Sequence, residues 1–183
     1  MGDIKSAWEI AQEKASKLGK LSATEREQQR QDKCRLAAEA LADKFLSRQD
    51  IGVIKEDLSK QEAADRALIV KLAIRQLSQS IDIRYPDTLA IISQGILALS
   101  NAADIKKELD ETKSLFEEYA LAEEKERHDI EEAGSQLLHQ MRISGSAIGR
   151  LNIRAIEGWQ QRLDQITKPF GTRLDALKRQ LQS

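Results

Sequence analysis

Residues 105–137 read IKKELDETKSLFEEYALAEEKERHDIEEAGSQL, the longest stretch of the chain that keeps a helical periodicity. Positions separated alternately by four and three residues fall on one face of an α-helix. On that face lie Ile105, Leu109, Thr112, Phe116, Tyr119, Glu123, Glu126, Ile130, Ala133 and Leu137. The pattern predicts a long helix with a narrow apolar seam, which is weakest where the two glutamates interrupt it.

Charge is unevenly distributed between this tract and the chain that follows it. Residues 104–132 carry twelve acidic and five basic side chains, whereas residues 133–183 carry three acidic and eight basic ones. Two successive helical segments of opposite sign are expected to pair, within one chain or between chains. The formal net charge of the whole chain is only −1, which suggests neither nucleic acid nor an anionic membrane as a partner.

Small residues at Ser144–Gly149 leave two arrangements open for residues 102–168. In the first, this segment is the tip of a hairpin, which would set Arg162 beside Glu131 and Arg173 beside Glu117. In the second, one helix runs through, and charge complementarity would then favour an antiparallel dimer. We expect the hairpin, because each interior glycine costs a helix about 1 kcal/mol relative to alanine.

The end of the chain is expected to hold two separate helices. Helical spacing continues from Leu151 through Trp159 and Leu163 until Pro169 and Gly171. Because proline and glycine commonly interrupt helices, we expect a break there. A last short helix would then carry Leu174, Leu177 and Leu181.

Upstream of the long tract, residues 34–101 are predicted to form a compact helical head. Pro86 suits the first turn of its most apolar helix, and the preceding residues, 80–85, are expected to form a loop. The apolar positions at helical spacing in this head are Cys34, Ala38, Leu41, Phe45, Ala63, Ala67, Val70, Ile74, Leu77, Ile81, Leu89, Ile92, Ile96 and Leu99.

The predicted boundaries in this region come from capping residues. A serine or threonine followed three residues later by glutamate can exchange hydrogen bonds with the first turn of a helix. Ser59 with Glu62 therefore predicts the start of a helix, and residues 49–57 around Gly52 are predicted to be a connection. Two overlapping pairs at the start of the chain have the same spacing, Ser22 with Glu25 and Thr24 with Glu27.

The first 33 residues are predicted to contain a short amphipathic helix and a polar tract. Ile4, Trp8 and Ala11 lie on one stripe of a helix over residues 1–19, which Gly19 can end. The tract over residues 20–33 is either a linker or the solvated start of the next helix. The N-terminal helix either packs on the head of its own chain or inserts Trp8 into the groove of a partner.

The opening segment Asp3-Ile4-Lys5-Ser6-Ala7, followed by Glu9-Ile10-Ala11 and Glu13-Lys14, resembles the start of a group of uncharacterised bacterial helical proteins. The resemblance covers less than a tenth of the chain. It implies a bacterial cytoplasmic protein, and it brings no known activity or site.

Composition and motifs argue against catalysis and against a membrane protein. No phosphate loop, nucleophile elbow, zinc spacing or dinucleotide fingerprint occurs in the sequence, so we expect neither an enzyme nor a cofactor. Cys34 is the only cysteine, and no apolar stretch approaches the ~20 residues of a membrane span. These features predict a cytoplasmic protein.

A metal site is the sharpest chemical alternative. Glu124, His128, Glu131 and Glu132 lie at helical spacing, but the repeated Glu-x-x-His pattern of helical-bundle metal sites is missing. A solvated acidic face is therefore the better interpretation, and we expect no metal ligands. His139 has no carboxylate three or four residues away and is expected to be an ordinary surface or half-buried residue.

Together these patterns predict an all-α protein with a helical head and a long helical arm or antiparallel coiled-coil hairpin. The predicted parts are residues 1–19, 20–33, 34–101 and 102–183. The expected function is structural or adaptor-like, through helix–helix contacts, and the expected partners are proteins and further copies of this chain. A ligand-binding bundle with a cavity in the head is the alternative, and a metal-dependent enzyme comes third. The expected interface residues are Ile4, Trp8, Ala11, Phe116, Tyr119, Ile130, Leu137, Leu151, Trp159 and Leu163.

Overall fold

A computed structural model describes residues 22–100, 102–142 and 158–182. Within these residues the chain forms six α-helices and no β-strand, which confirms the all-α prediction. The helices are α1 (Ala23–Arg48), α2 (Ile51–Ser59), α3 (Ala63–Gln79), α4 (Pro86–Leu99), α5 (Ala103–Gln140) and α6 (Trp159–Leu181).

Helix α1 begins at the capping box that the sequence predicts. The Ser22 hydroxyl accepts a hydrogen bond from the Glu25 amide (3.1 Å), and the Glu25 carboxylate accepts one from the Ser22 amide (2.7 Å). Residues 23–33 are therefore helical, although every one of them is exposed. Burial begins at Cys34, where the apolar stripe predicted for this helix also begins.

The connection predicted over residues 49–57 is wrong, because most of it is helix α2. Asp50 caps this helix by accepting a hydrogen bond from the Gly52 amide (2.8 Å), and Val53 and Ile54 are buried. A glycine in the first turn does not break a helix whose cap and buried residues hold it. The Lys44 ammonium of α1 donates a hydrogen bond to the Asp57 carboxylate of α2 (2.8 Å), and this hydrogen bond lowers the pKa of the Asp57 carboxyl.

The capping box predicted at Ser59 and Glu62 does not form. Ser59 is the last residue of α2, and its hydroxyl donates to the Glu56 carbonyl (2.6 Å) instead. Glu62 is itself the N-cap of α3, without a side-chain capping bond. The connection is held by Arg66, whose guanidinium donates to the carbonyls of Ser59 (3.1 Å) and Gln61 (3.0 Å).

Helices α1 and α3 run parallel to each other. Arg30 of α1 pairs with Asp65 (2.5 Å) near the start of α3. Further along both helices, Glu39 of α1 and Gln76 of α3 line one cleft, so residue numbers rise together in the two helices. The connection over residues 80–85 contains no strand, as predicted, and Pro86 is the first residue of α4. Ile81 and Ile83 of this connection are buried, so it belongs to the core.

Helices α5 and α6 run antiparallel, because partner numbers rise in one helix as they fall in the other. Glu118 pairs with Arg173 (2.6 Å) and Glu126 pairs with Arg162 (3.1 Å). Helix α5 ends at Gln140, so a single helix through residues 102–168 is wrong. The predicted tip at 144–149 lies outside the described residues.

The register between these helices differs from the predicted one. Arg173 contacts Glu118 rather than the adjacent Glu117, and Arg162 contacts Glu126 rather than Glu131. The prediction placed the turn from the glycines alone, whereas the observed register follows the packing of apolar side chains between the helices.

The break predicted at Pro169 and Gly171 is also wrong. Helix α6 continues through both residues to Leu181. Pro169 lies on the exposed side of α6, while Ile166, Phe170 and Leu174 on either side of it pack against the core. Packing on both sides of the proline offsets the backbone hydrogen bond that it cannot donate.

A single buried cluster joins the predicted head to residues from the predicted arm, including Leu109, Phe116 and Leu174. Helix α4 approaches α1 closely at Gly95. A Cβ atom added at Gly95 would overlap the ring of Phe45, so only glycine fits there. The cluster consists of Cys34, Ala38, Leu41, Ala42, Phe45, Ile54, Ile69, Ala73, Ile74, Leu77, Ile81, Ile83, Leu89, Ile92, Ile96, Leu109, Leu115, Phe116, Tyr119, Leu174 and Leu181.

Candidate functional site: an apolar groove between α4 and α5

The acidic cluster considered as a metal site is organised around an arginine. Arg127 forms ion pairs with Glu124 and with Glu131 (3.3 Å), and the pKa of Glu124 is lowered by its hydrogen bond to this arginine. His128 and Glu132 are exposed on the same helix. Among the residues that the structure describes, no group of three or more His, Cys, Asp or Glu side chains is arranged to hold a metal ion.

Cys34 and His139 have ordinary surroundings. Cys34 is buried in the core, and burial raises the pKa of its thiol, which disfavours the reactive thiolate. His139 is exposed in the last turn of α5, where a basic side chain is favourable to the helix dipole.

The predicted interface residues on α5 and α6 are mostly used within the chain. The Tyr119 hydroxyl lies 3.2 Å from the Thr167 hydroxyl, and its ring meets Phe170 edge to face at 5.5 Å. Burial raises the pKa of Tyr119. These contacts place Tyr119 between α5 and α6 of one chain.

The other predicted interface residues have varied positions. Phe116 and Ile130 are buried, Trp159 and Leu163 are half-buried, and Leu137 is exposed. The remaining four lie outside the described residues: Ile4, Trp8, Ala11 and Leu151. The role of these residues in association stays a prediction.

Two ion pairs connect the acidic segment, residues 104–132, with the basic segment, residues 133–183, within one chain. Both pairs lie between α5 and α6. The hydrogen bond from Arg173 lowers the pKa of the Glu118 carboxyl. All four side chains of these pairs are partly open to solvent, so the pairs stabilise the chain little and mainly select the antiparallel orientation.

An apolar groove of about 490 Å³ lies between α4 and α5. Leu89 of α4 and Leu109 and Phe116 of α5 are buried side chains that form its floor. Ala90 on α4 and Ala120 on α5 are exposed small residues that leave it open. No pattern in the sequence predicted this groove, because its two walls come from helices whose relative position no local pattern determines.

The rim of the groove on α5 is a row of charged side chains with alternating sign. Lys106, Asp110, Lys113 and Glu117 follow one another at intervals of four, three and four residues, so they form one line along α5. All four are exposed, and none of them forms an ion pair with another described residue. The groove therefore combines an apolar floor with charges that are available for a partner.

A larger cleft of about 750 Å³ lies between α5 and α6, but most of the residues that line it are charged. Three basic and three acidic side chains line it, and two of them, Glu118 and Arg173, already pair with each other. The groove between α4 and α5 is therefore the better candidate site.

None of the described helices has the length and apolar character that crossing a membrane requires. Comparisons of the chain with protein-family models, with curated proteins and with solved structures found no match.

Proposed function

We propose that this protein is a structural or adaptor module that binds an amphipathic helix of a protein partner in the groove between α4 and α5. The observation that carries this proposal is the apolar floor beside a row of four charged side chains, none of which forms an ion pair with another residue that the structure describes. Helix-in-groove recognition uses this combination, since apolar anchors supply affinity and flanking charges fix orientation.

The spacing of the groove residues fits a helical partner. Leu109 and Phe116 are seven residues apart on α5, and Leu89 and Leu97 are eight apart on α4. Each pair therefore covers about two helical turns, or about 11 Å. A partner helix with anchors at positions i, i+4 and i+7 would place them along this length.

Self-association in the cytoplasm is part of the proposal. The single cysteine supports the cytoplasmic location, and the pattern of apolar helix faces supports self-association. The predicted seam on α5 and α6 also contains Leu137, an exposed apolar side chain. Catalysis is no part of this function.

A small apolar ligand is the second candidate, because the volume of the groove falls in the range typical of ligand sites. A ligand site usually adds polar groups that converge inside an enclosed pocket. Here the charged groups stand on the rim, and the groove is open along α4. These features favour an elongated occupant.

The test is the mass of the full chain by light scattering during size exclusion over a range of concentrations. We expect a mass above the 20.6 kDa of one chain, and Ala90→Arg, which puts a charge into the groove, should return the monomer. Ala40→Arg is the matched control, since Ala40 is exposed on α1 away from the groove. Monomeric wild-type protein at every concentration, or equal effects of both variants, would contradict self-association through the groove.

A further inference from the structure

We infer that α5 of this chain pairs antiparallel with α5 of a second copy, along one exposed line of residues that forms the rim of the groove. The inference rests on the proposed function, since it names the partner helix and its orientation. The line, called the α5 ridge below, consists of six residues at alternating intervals of three and four: Ala103, Lys106, Asp110, Lys113, Glu117 and Ala120.

The α5 ridge is open to solvent along its whole length. All six residues are exposed, and their alternating intervals keep them on one line of the helix, which is the spacing of residues where two packed helices meet. Lys106 and Asp110 line both the groove between α4 and α5 and the cleft between α5 and α6. The ridge therefore stands between two open depressions, where a second helix can reach it.

The α5 ridge is complementary to itself when its direction is reversed. Reversal places each alanine opposite an alanine and each lysine opposite a carboxylate. The opposed pairs are Ala103 with Ala120, Lys106 with Glu117, and Asp110 with Lys113. All of them belong to one register, because each pair is centred between Glu111 and Thr112. A twofold axis that crosses α5 at this point therefore satisfies every position of the ridge.

Twofold symmetry leaves only the direction of the axis to be decided, because both copies use the same ridge. An axis that runs along α5 sets each residue opposite its own copy, which gives four contacts between like charges, such as Lys106 on Lys106. An axis that crosses α5 gives four contacts between opposite charges. Like charges directly opposed across a helix interface are destabilising. Charge therefore selects the antiparallel pair.

The same axis closes the groove. Rotation about an axis across α5 exchanges the two ends of the helix but leaves its two sides in place, so the groove of one copy faces the groove of the other. The aliphatic stems of Lys106 and Lys113, which line the groove, cover apolar surface there while their ammonium groups meet carboxylates of the second copy. Ala90 lies in the space between the two grooves, so an arginine at this position should separate the copies.

The first experiment reverses charges on the α5 ridge in the full chain. Lys106→Glu and Glu117→Lys should each raise the dissociation constant measured by light scattering by up to about 25-fold. Each dimer contains this pair twice, and an exposed pair contributes up to about fivefold. An equimolar mixture of the two variants should associate like wild type, because each reversed residue then meets an opposite charge. Lys125→Glu, at an exposed position of α5 off the ridge, is the matched control and should leave association unchanged.

The second experiment reads the orientation from disulfide formation. The substitutions Ala103→Cys and Ala120→Cys lie about 26 Å apart on one helix, too far for a bridge within one chain. A chain that carries both should form a covalent dimer under oxidation, because the two positions face each other across the antiparallel pair. Each single variant should stay without a crosslink. Cys34 is buried in the core, so wild type should also stay without one.

Three results would overturn the inference. If Ala90→Arg abolishes association but the double cysteine variant forms no covalent dimer, another arrangement uses the groove, and the proposed function survives without this partner. A covalent dimer of either single cysteine variant would show a parallel pair. Wild-type protein that is monomeric at every concentration would overturn the inference together with the self-association in the proposed function. Circular dichroism confirms that each variant is folded.

Discussion

Gly95 shows how one missing side chain decides the packing of two helices. The glycine lies inside α4, where it costs helix stability relative to alanine, and in the sequence it only interrupts an apolar stretch. The structure supplies the reason for it, since the ring of Phe45 occupies the space of a Cβ atom. The contact brings α1 close to α4 at the center of the core.

Gly95→Ala should lower the free energy of unfolding by about 1–3 kcal/mol, because the added methyl group forces the Phe45 ring out of its position. Gly171→Ala is the matched control, since Gly171 also lies inside a helix but a Cβ atom there has open space. That variant should be neutral or more stable by up to about 1 kcal/mol. Urea unfolding followed by circular dichroism measures both, and equal effects would show that the Phe45 contact is not limiting.

Helix α1 illustrates an element whose two halves are held by different forces. Its first eleven residues, 23–33, are exposed and depend on the Ser22 capping box, on local helix propensity and on the Arg30–Asp65 ion pair. Its second half is held by burial of residues such as Ala38 and Phe45. Loss of the Ser22 cap should therefore destabilise only the first turns of α1.

Ser22→Ala should speed amide hydrogen exchange over residues 23–28 by up to about tenfold, since loss of an N-cap costs about 1 kcal/mol. The midpoint of urea unfolding should hardly change, because no core residue lies in this part of the helix. Ser47→Ala, in the last turn of the same helix, is the control and should leave exchange at 23–28 unaltered. Equal protection in the two variants would mean that the cap does not hold the first turn.

Across the whole molecule, the end of α6 is part of the same core as α1 and α3. Leu174 and Leu181 are buried in the common cluster, and the Lys178 ammonium donates to the Gln79 carbonyl at the end of α3 (3.4 Å). The first half of α6 packs less deeply, with Leu163 only half-buried. Substitutions at the two ends of α6 should therefore destabilise different parts of the chain.

Leu174→Ala should lower the free energy of unfolding of the entire chain by about 2–4 kcal/mol, because it opens a cavity in the common core. Amide exchange should rise in α3 as well as in α6. Leu163→Ala should cost less than half as much and leave exchange in α3 unchanged. If Leu174→Ala affects only α6, then α6 and α3 unfold independently, which would contradict a continuous core.

The sequence by itself determined the features that depend on nearby residues. Helical periodicity predicted the all-α class and the buried stripe from Cys34 to Phe45, and the spacing of Ser22 and Glu25 predicted the start of α1. Pro86 marked the start of α4. Each of these rests on side chains or backbone groups within one or two helical turns, so the local sequence contains the whole interaction.

Only the tertiary structure decided the features that depend on distant partners. Two of these features were predicted wrongly, namely the end of a helix at Pro169 and the register of α5 against α6. The groove between α4 and α5 was not predicted at all. Their energies come from contacts between residues far apart in the chain, such as Phe45 with Gly95 and Tyr119 with Phe170. A local pattern carries no information about which distant side chain fills the adjoining space, and that packing selects the final arrangement.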